Sequence, residues 1–333
     1  MVLGALAALL ALAFVLAIAS GPSSLPIARL LELLLDPAAA SDTERAVVGS
    51  IRLPRALLAV LVGAVLGTGG AASQGLFRNP LADPGLVGVS AGGALGAALA
   101  IVVGSAFWHE APEAWRSVLL PAGAFAGSLL TTAFVARLGS PGGRPQVVAM
   151  LLAGVAVSAF AGSLIGALGY FADDAQLRNL SFWLLGGLGH ATWRTVLGAL
   201  PFAVVALALL GTLGSSLDRL ALGEREALYA GVDVPRVQRR VVVALALGVG
   251  GMVAAAGPIG FVGLVVPHAA RLLTGPRHAA VLPVSAALGA TLVVLADVAA
   301  RLVVRPLELP LGVLTALLGA PFFLVLLRRE VHP

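Results

Sequence analysis

The chain reads as long apolar runs, broken at intervals by short stretches that carry Arg, Asp, Glu, Pro or clustered Gly. About 20 apolar residues in helical form cross the roughly 30 Å hydrocarbon layer of a bilayer. Cutting the chain at its charged and Pro-rich interruptions predicts ten transmembrane helices, at 3–19, 54–73, 86–104, 117–137, 147–168, 195–213, 241–256, 259–274, 280–298 and 310–327. The seventh and eighth are short on this reading, and Gly257-Pro-Ile-Gly260 between them breaks the helix inside the apolar region. A break at that depth needs protein or an aqueous cavity over its freed backbone groups.

The first run ends in Ala19-Ser20-Gly21, as a cleaved signal would, but no basic segment precedes it, so it is counted as a span. Ten spans place both termini on one side. Summing alternate connections puts twelve arginines on that side and nine on the other, and the densest connection is 214–240. The positive-inside bias therefore assigns this connection and both termini to the cytoplasm.

Composition supports the same class. Of 333 residues, 59% are hydrophobic and 11% charged, whereas a soluble domain carries about a quarter charged residues. The fold expected is an all-α, polytopic membrane domain spanning residues 1–333. Cysteine is absent, which removes disulfides, thiolate metal sites and thiol nucleophiles. The net charge of +5 comes from arginines scattered between spans rather than gathered in a patch, which argues for topology and against nucleic acid. Lysine is also absent, so there is no phosphate-gripping loop, and the chain is not expected to be an enzyme. No metal-ligating set and no cofactor are expected.

Ala and Gly crowd the spans, as in Ala91-Gly-Gly-Ala94 and Gly248-Val-Gly-Gly251. Small residues let helix backbones approach closely, which drives association in lipid. Ser90-Ala91 before Leu95-Gly-Ala97 echoes Ser285-Ala286 before Leu288-Gly-Ala290, and Arg52 and Arg240 each open an apolar run. These echoes suggest two weakly similar halves, as in many transporters.

Ion-driven carriers keep Asp, Glu, Lys or His inside their spans, and these spans hold almost none. Asp297 lies near Arg301 at a span end, the arrangement of a paired interfacial charge, and His268 follows Pro267 as a structural histidine would. The energy for transport is expected from a partner, with an ion-coupled secondary transporter as the alternative class. Within 214–240, Gly223 and Gly231 bracket Glu224–Ala230 as a short helix, with Ala227, Leu228 and Tyr229 offering packing surface. A solvated connector and a partner-docking helix are both compatible with this stretch.

Several ordered motifs resemble the membrane subunits of type II ABC importers for iron-siderophore, haem and cobalamin. They are Arg52-Leu-Pro-Arg55 with Gln74-Gly-Leu-Phe-Arg-Asn-Pro-Leu-Ala-Asp-Pro-Gly-Leu-Val-Gly-Val-Ser-Ala-Gly92, then Gly257-Pro-Ile-Gly-Phe-Val-Gly-Leu-Val-Val-Pro-His-Ala-Ala-Arg271. Ala296-Asp297 through Arg301, Glu308-Leu-Pro-Leu-Gly312 and Gly319-Ala-Pro-Phe-Phe323 complete the set. The resemblance implies a homodimeric permease in the bacterial inner membrane, two cytoplasmic ATP-binding subunits and a periplasmic substrate-binding protein. It implies that Glu224, Arg225, Glu226, Ala227, Leu228 and Gly231 form the ATPase-coupling element. It further implies that Arg52, Arg55 and Arg301 face outward and receive acidic residues of the binding protein, although the apolar reading of Arg52 and Arg55 is that they snorkel as anchors.

The stretch Ala172-Asp-Asp-Ala-Gln-Leu-Arg-Asn-Leu-Ser-Phe-Trp183 most resembles the haem branch. Arg178 suits haem propionates, Phe182 and Trp183 suit the porphyrin face, and His190 suits transient contact with the iron. The plain alternatives are an Arg178 pair with Asp173 or Asp174 and an ordinary loop histidine. Siderophore or cobalamin cargo remains the alternative within the same class.

Overall fold

The structure, a computed structural model, describes residues 2–21, 29, 32, 41–104, 112–143, 145–304 and 306–331. Among them the regular elements are all helical: α1 (Val2–Ala19), α2 (Leu53–Phe77), α3 (Val89–Leu99), α4 (Glu113–Leu138), α5 (Val147–Phe171), α6 (Asp174–Leu184) and α7 (Trp193–Gly211). There follow α8 (Gly214–Ala221), α9 (Glu224–Tyr229), α10 (Val234–Ala256), α11 (Val262–Thr274), α12 (His278–Leu302) and α13 (Leu311–Val331). Seven helices are long and apolar enough to cross a membrane, namely α1, α2 with its lead-in, α4, α5, α7, α10 and α12. Three shorter apolar helices, Val89–Gly104, Val262–Thr274 and Leu311–Leu324, fall on the remaining expected segments.

Two boundaries differ from the sequence reading. The seventh segment is not short, because α10 begins at Val234: Pro235 occupies its first turn and the Asp233 carboxylate accepts the Arg236 amide at 3.0 Å. Arg236, Arg239 and Arg240 therefore ride on a helix rather than in a loop, and charge alone misplaced its start. The second segment is likewise longer, since Asp42–Ala46 continues through a π-helical Val47–Arg52 into α2.

Helix α2 is the hub, packing on α12, α11, α7 and α10, while α10 packs on α4 and α3. Taking the seven long and three shorter apolar helices as two successive sets of five, the second helix of each set packs on the third and fourth of the other, a relation in which Arg52 and Arg240 correspond. The Ser90 and Ser285 echo instead joins α3 to α12, the third helix of one set to the fourth of the other, so those segments do not correspond in this relation.

Small residues make these approaches possible. A Cβ on Gly63 would stand 2.1 Å from the Gly289 carbonyl oxygen, one on Gly67 2.3 Å from that of Ser285, and one on Gly70 2.0 Å from that of Gly263. Apolar burial gives little net gain between helices in lipid, so backbone contact at this range is what holds them together.

The break after α10 is covered by protein. The Gly187 amide donates to the Ala256 carbonyl at 2.8 Å, and Gly257 and Gly186, both at positive φ, pack on the Trp183 and Pro258 carbonyls. Phe261, the N-cap of α11, also has φ of 66°, an uncommon conformation for a bulky residue, and it seats against Gly319 of α13. His268, expected from sequence to be a structural histidine, meets Phe322 edge to face at 6.0 Å.

Candidate functional site

The connection 214–240 folds into α8, α9 and the opening turns of α10. Glycines punctuate it because Gly223 (φ 127°) and Gly231 (φ 79°) take backbone conformations that side chains disfavour. Ala227 is fully buried, and Val232 donates back to its carbonyl at 2.9 Å, which folds α9 down onto the bundle. Glu224 accepts from buried Gln238 of α10 at 3.3 Å, and Arg219 donates to the Ala230 carbonyl at 3.2 Å. These ties leave Arg225, Glu226, Leu228 and Tyr229 outward, with Tyr229 91% exposed. Helix α9, tied to the bundle in this way, thus shows two large apolar side chains, Leu228 and Tyr229, among charged ones.

Sequence reasoning missed how this face is fastened to the bundle. Asp218 of α8 accepts the His278 amide at 2.5 Å and lies 2.9 Å from its Nδ1, so α8 sits on the N-terminus of α12, where backbone amides lack helical partners. His278 in turn packs on Gly75 near the end of α2. Beside it, Arg271 of α11 donates to the Gln74 side chain of α2. Asp83 accepts the Gly85 amide at 2.7 Å and lies against Gly263; burial raises its carboxyl above the ordinary range, opposed by that hydrogen bond. The motifs 74–92 and 257–271 are therefore one joined seam.

At the opposite end the three predicted arginines do come together, but two of them point inward. Arg52 is 4% exposed and donates to the carbonyls of Ile18 (2.7 Å) and Ala19 (3.1 Å). Arg301, 6% exposed, donates to those of Ser20 (2.7 Å) and Ala17 (3.1 Å) and pairs with Asp297 at 3.1 Å. Four successive carbonyls at the end of α1, which no helical turn can satisfy, thus receive guanidinium donors. The expectation that Arg52 and Arg301 face outward is corrected on this ground, and Arg52 is no snorkelling anchor either. Arg55 lies nearer the surface and bridges Asp297 and Glu308, each at 2.9 Å. The Asp297–Arg301 pair expected from sequence is present, and the reach of Arg55 across to it was not foreseen.

On the same side, Asp173 caps α6 by accepting the Gln176 amide at 2.8 Å. With Asp173 so engaged, neither it nor Asp174 forms an ion pair with Arg178 among the described residues, and Arg178 is exposed. Phe182 follows one turn later and is 63% exposed, whereas Trp183 is half-buried against the break at Gly257. His190 is exposed in the turn before α7. Arg178 and Phe182 share one face, and Trp183 and His190 do not converge on it.

The described residues form an all-helical, tightly seamed apolar bundle with α9 mounted on one end, the make-up of a polytopic membrane subunit, and the chains that this one is similar to are ABC-transporter permeases. The chain belongs to the FecCD transport family, which it matches over residues 9–329. It is 44% identical over 282 residues to the hemin transport system permease protein HmuU of Yersinia pestis, covering 84% of this chain and 83% of that one. It is 42% identical over 295 residues to the cobalamin import system permease protein BtuC of Halobacterium salinarum, covering 87% and 76%. With the Fe(3+)-citrate import system permease protein YfmD of Bacillus subtilis it shares 37% over 286 residues, covering 86% and 82%. A solved metal-chelate type ABC transporter in an inward-facing conformation superposes with a TM-score of 0.84 at 31% identity, covering 98% of each chain. These relationships set aside the ion-coupled alternative, and the energy source of the class is ATP.

Proposed function

We propose that the chain crosses the bacterial inner membrane ten times, with both termini cytoplasmic, and imports haem as one half of a homodimeric permease. In this reading Glu224, Arg225, Glu226, Ala227, Leu228 and Gly231 form the element that two ATP-binding subunits grip, with Leu228 entering the cleft and buried Ala227 passing force to α10. A periplasmic binding protein docks on the end carrying Arg55 and Glu308, and Arg52 and Arg301 hold the end of α1 in place beneath it. Arg178 and Phe182 face the arriving cargo, while Trp183 and His190 shape the segment behind them.

The observation that carries the haem reading is the exposed, unpaired Arg178 one turn from exposed Phe182. A fixed cation beside an aromatic face matches a flat porphyrin bearing carboxylates. The 44% identity to a hemin permease supports it. Cobalamin, favoured by a 42% relative, is the second reading, and it lacks the propionate carboxylates that Arg178 would grip. In proteoliposomes carrying the assembled complex, Arg178→Ala should lower haem uptake several-fold while basal ATP hydrolysis stays near the parental rate. Arg178→Lys should recover part of it, because an ammonium cannot grip a carboxylate with two prongs. Haem uptake at the parental rate by Arg178→Ala would remove the support for haem.

A further inference from the structure

A groove of about 570 Å³ lies where α4, α10 and the start of α5 meet. Its walls are apolar, built from Leu129, Ala133, Val243 and Leu247 among others. Beside it α4 turns Leu130, Phe134 and Leu138 outward at helical spacing, the pattern of a lipid-facing stripe. At the end of the groove where α4 finishes and α10 begins stand Arg137 and Arg239, both exposed and neither in an ion pair among the described residues. Thr132, also in the wall, has a buried hydroxyl without a hydrogen-bond partner.

We propose that this groove holds an anionic phospholipid, with an acyl chain along the apolar wall and the phosphate between Arg137 and Arg239. The charge decides the headgroup: hydrocarbon contact would accept any lipid tail, but two unpaired arginines at the interface end favour a net negative head. Basic pockets between transmembrane helices select lipids in this way. Thr132 lies five residues along α4 from Arg137, about 7.5 Å further along the helix axis. Gln238 connects the site to the coupling face, since it lines the groove and donates to Glu224 of α9 at 3.3 Å.

The test uses the purified full-length chain in mild detergent, incubated with phosphatidylglycerol or phosphatidylcholine and weighed by native mass spectrometry. Two basic side chains near an interface favour the anionic lipid by roughly 30-fold, so the parent should retain phosphatidylglycerol over phosphatidylcholine by about that ratio. Arg137→Gln with Arg239→Gln should bring the ratio close to one, leaving the unfolding temperature in detergent alone unchanged, because both side chains are at the surface. Inorganic phosphate in excess should not displace the lipid. An unchanged ratio in the double variant, no preference in the parent, or displacement by phosphate would each overturn the proposal. Detergent has no sides and the assay has no cargo, so the result is independent of the haem and topology readings.

Discussion

Asp297 offers the sharpest energetic prediction. It is 2% exposed, and it is held by Arg55 at 2.9 Å and by Arg301 at 3.1 Å. Asp297→Ala leaves buried Arg301 without a counter-charge, and breaking a buried pair from one side costs about 3–5 kcal/mol. Arg301 keeps its bonds to the Ala17 and Ser20 carbonyls, which places the expected loss near the lower end, about 3 kcal/mol. Arg55→Ala is milder, because Glu308 is partly solvated and Asp297 retains Arg301: about 1.5–2 kcal/mol, the scale of a hydrogen bond to a charged group. The two changes share a partner and should not add, with a coupling energy between about 0.5 and 3 kcal/mol. Reversible unfolding in mixed micelles, followed by tryptophan fluorescence, measures all three variants. A loss under about 1 kcal/mol for Asp297→Ala, or strict additivity, would refute the claim that this cluster is a buried structural clasp.

Gly70→Ala should destabilise the subunit by about 1–3 kcal/mol in the same assay, since its new Cβ would meet the Gly263 carbonyl oxygen at 2.0 Å. Gly162→Ala on α5, with nothing within 4 Å, serves as the control and should be neutral or slightly stabilising. Gly231→Pro should abolish transport while the complex still hydrolyses ATP, because proline cannot reach φ of 79° and removes the amide that donates to Leu228. Coupled transport at the parental rate in that variant would exclude the turn after α9 from force transmission.

The positions of the apolar helices were readable because lipid imposes a long, charge-poor run on whatever crosses it, and α9 because Gly223 and Gly231 mark its limits. The break at Gly257-Pro258 was readable for the same reason, as was the need to cover it, which residues 183–188 meet. What sequence could not show was contact at a distance. Read with their neighbours, Arg52 looks like an interfacial anchor and Arg301 like the partner of Asp297, and only the fold reveals that both reach the free carbonyls of α1. Asp218 gave no signal of its own, since its partner is the amide that opens a helix sixty residues later. The start of α10 was misplaced because arginines were read as loop, whereas three of them sit on the first turns of a helix where it leaves the apolar zone. Cargo lies at the limit of sequence reading: the family is carried by long ordered motifs such as 74–92 and 257–271, whereas the proposed cargo rests on a few exposed side chains such as Arg178.

The central claim is ATP-driven haem import, and its most direct measurement is uptake into proteoliposomes containing this permease, its ATP-binding subunits and its binding protein. Haem, cobalamin and a ferric siderophore would be offered separately, with ATP present or absent inside the appropriate compartment. The account predicts ATP-dependent accumulation of haem well above the other two, and loss of that accumulation in Gly231→Pro. Accumulation of cobalamin or the siderophore with haem excluded would contradict the cargo assignment, and haem movement that needs no ATP would contradict the account as a whole.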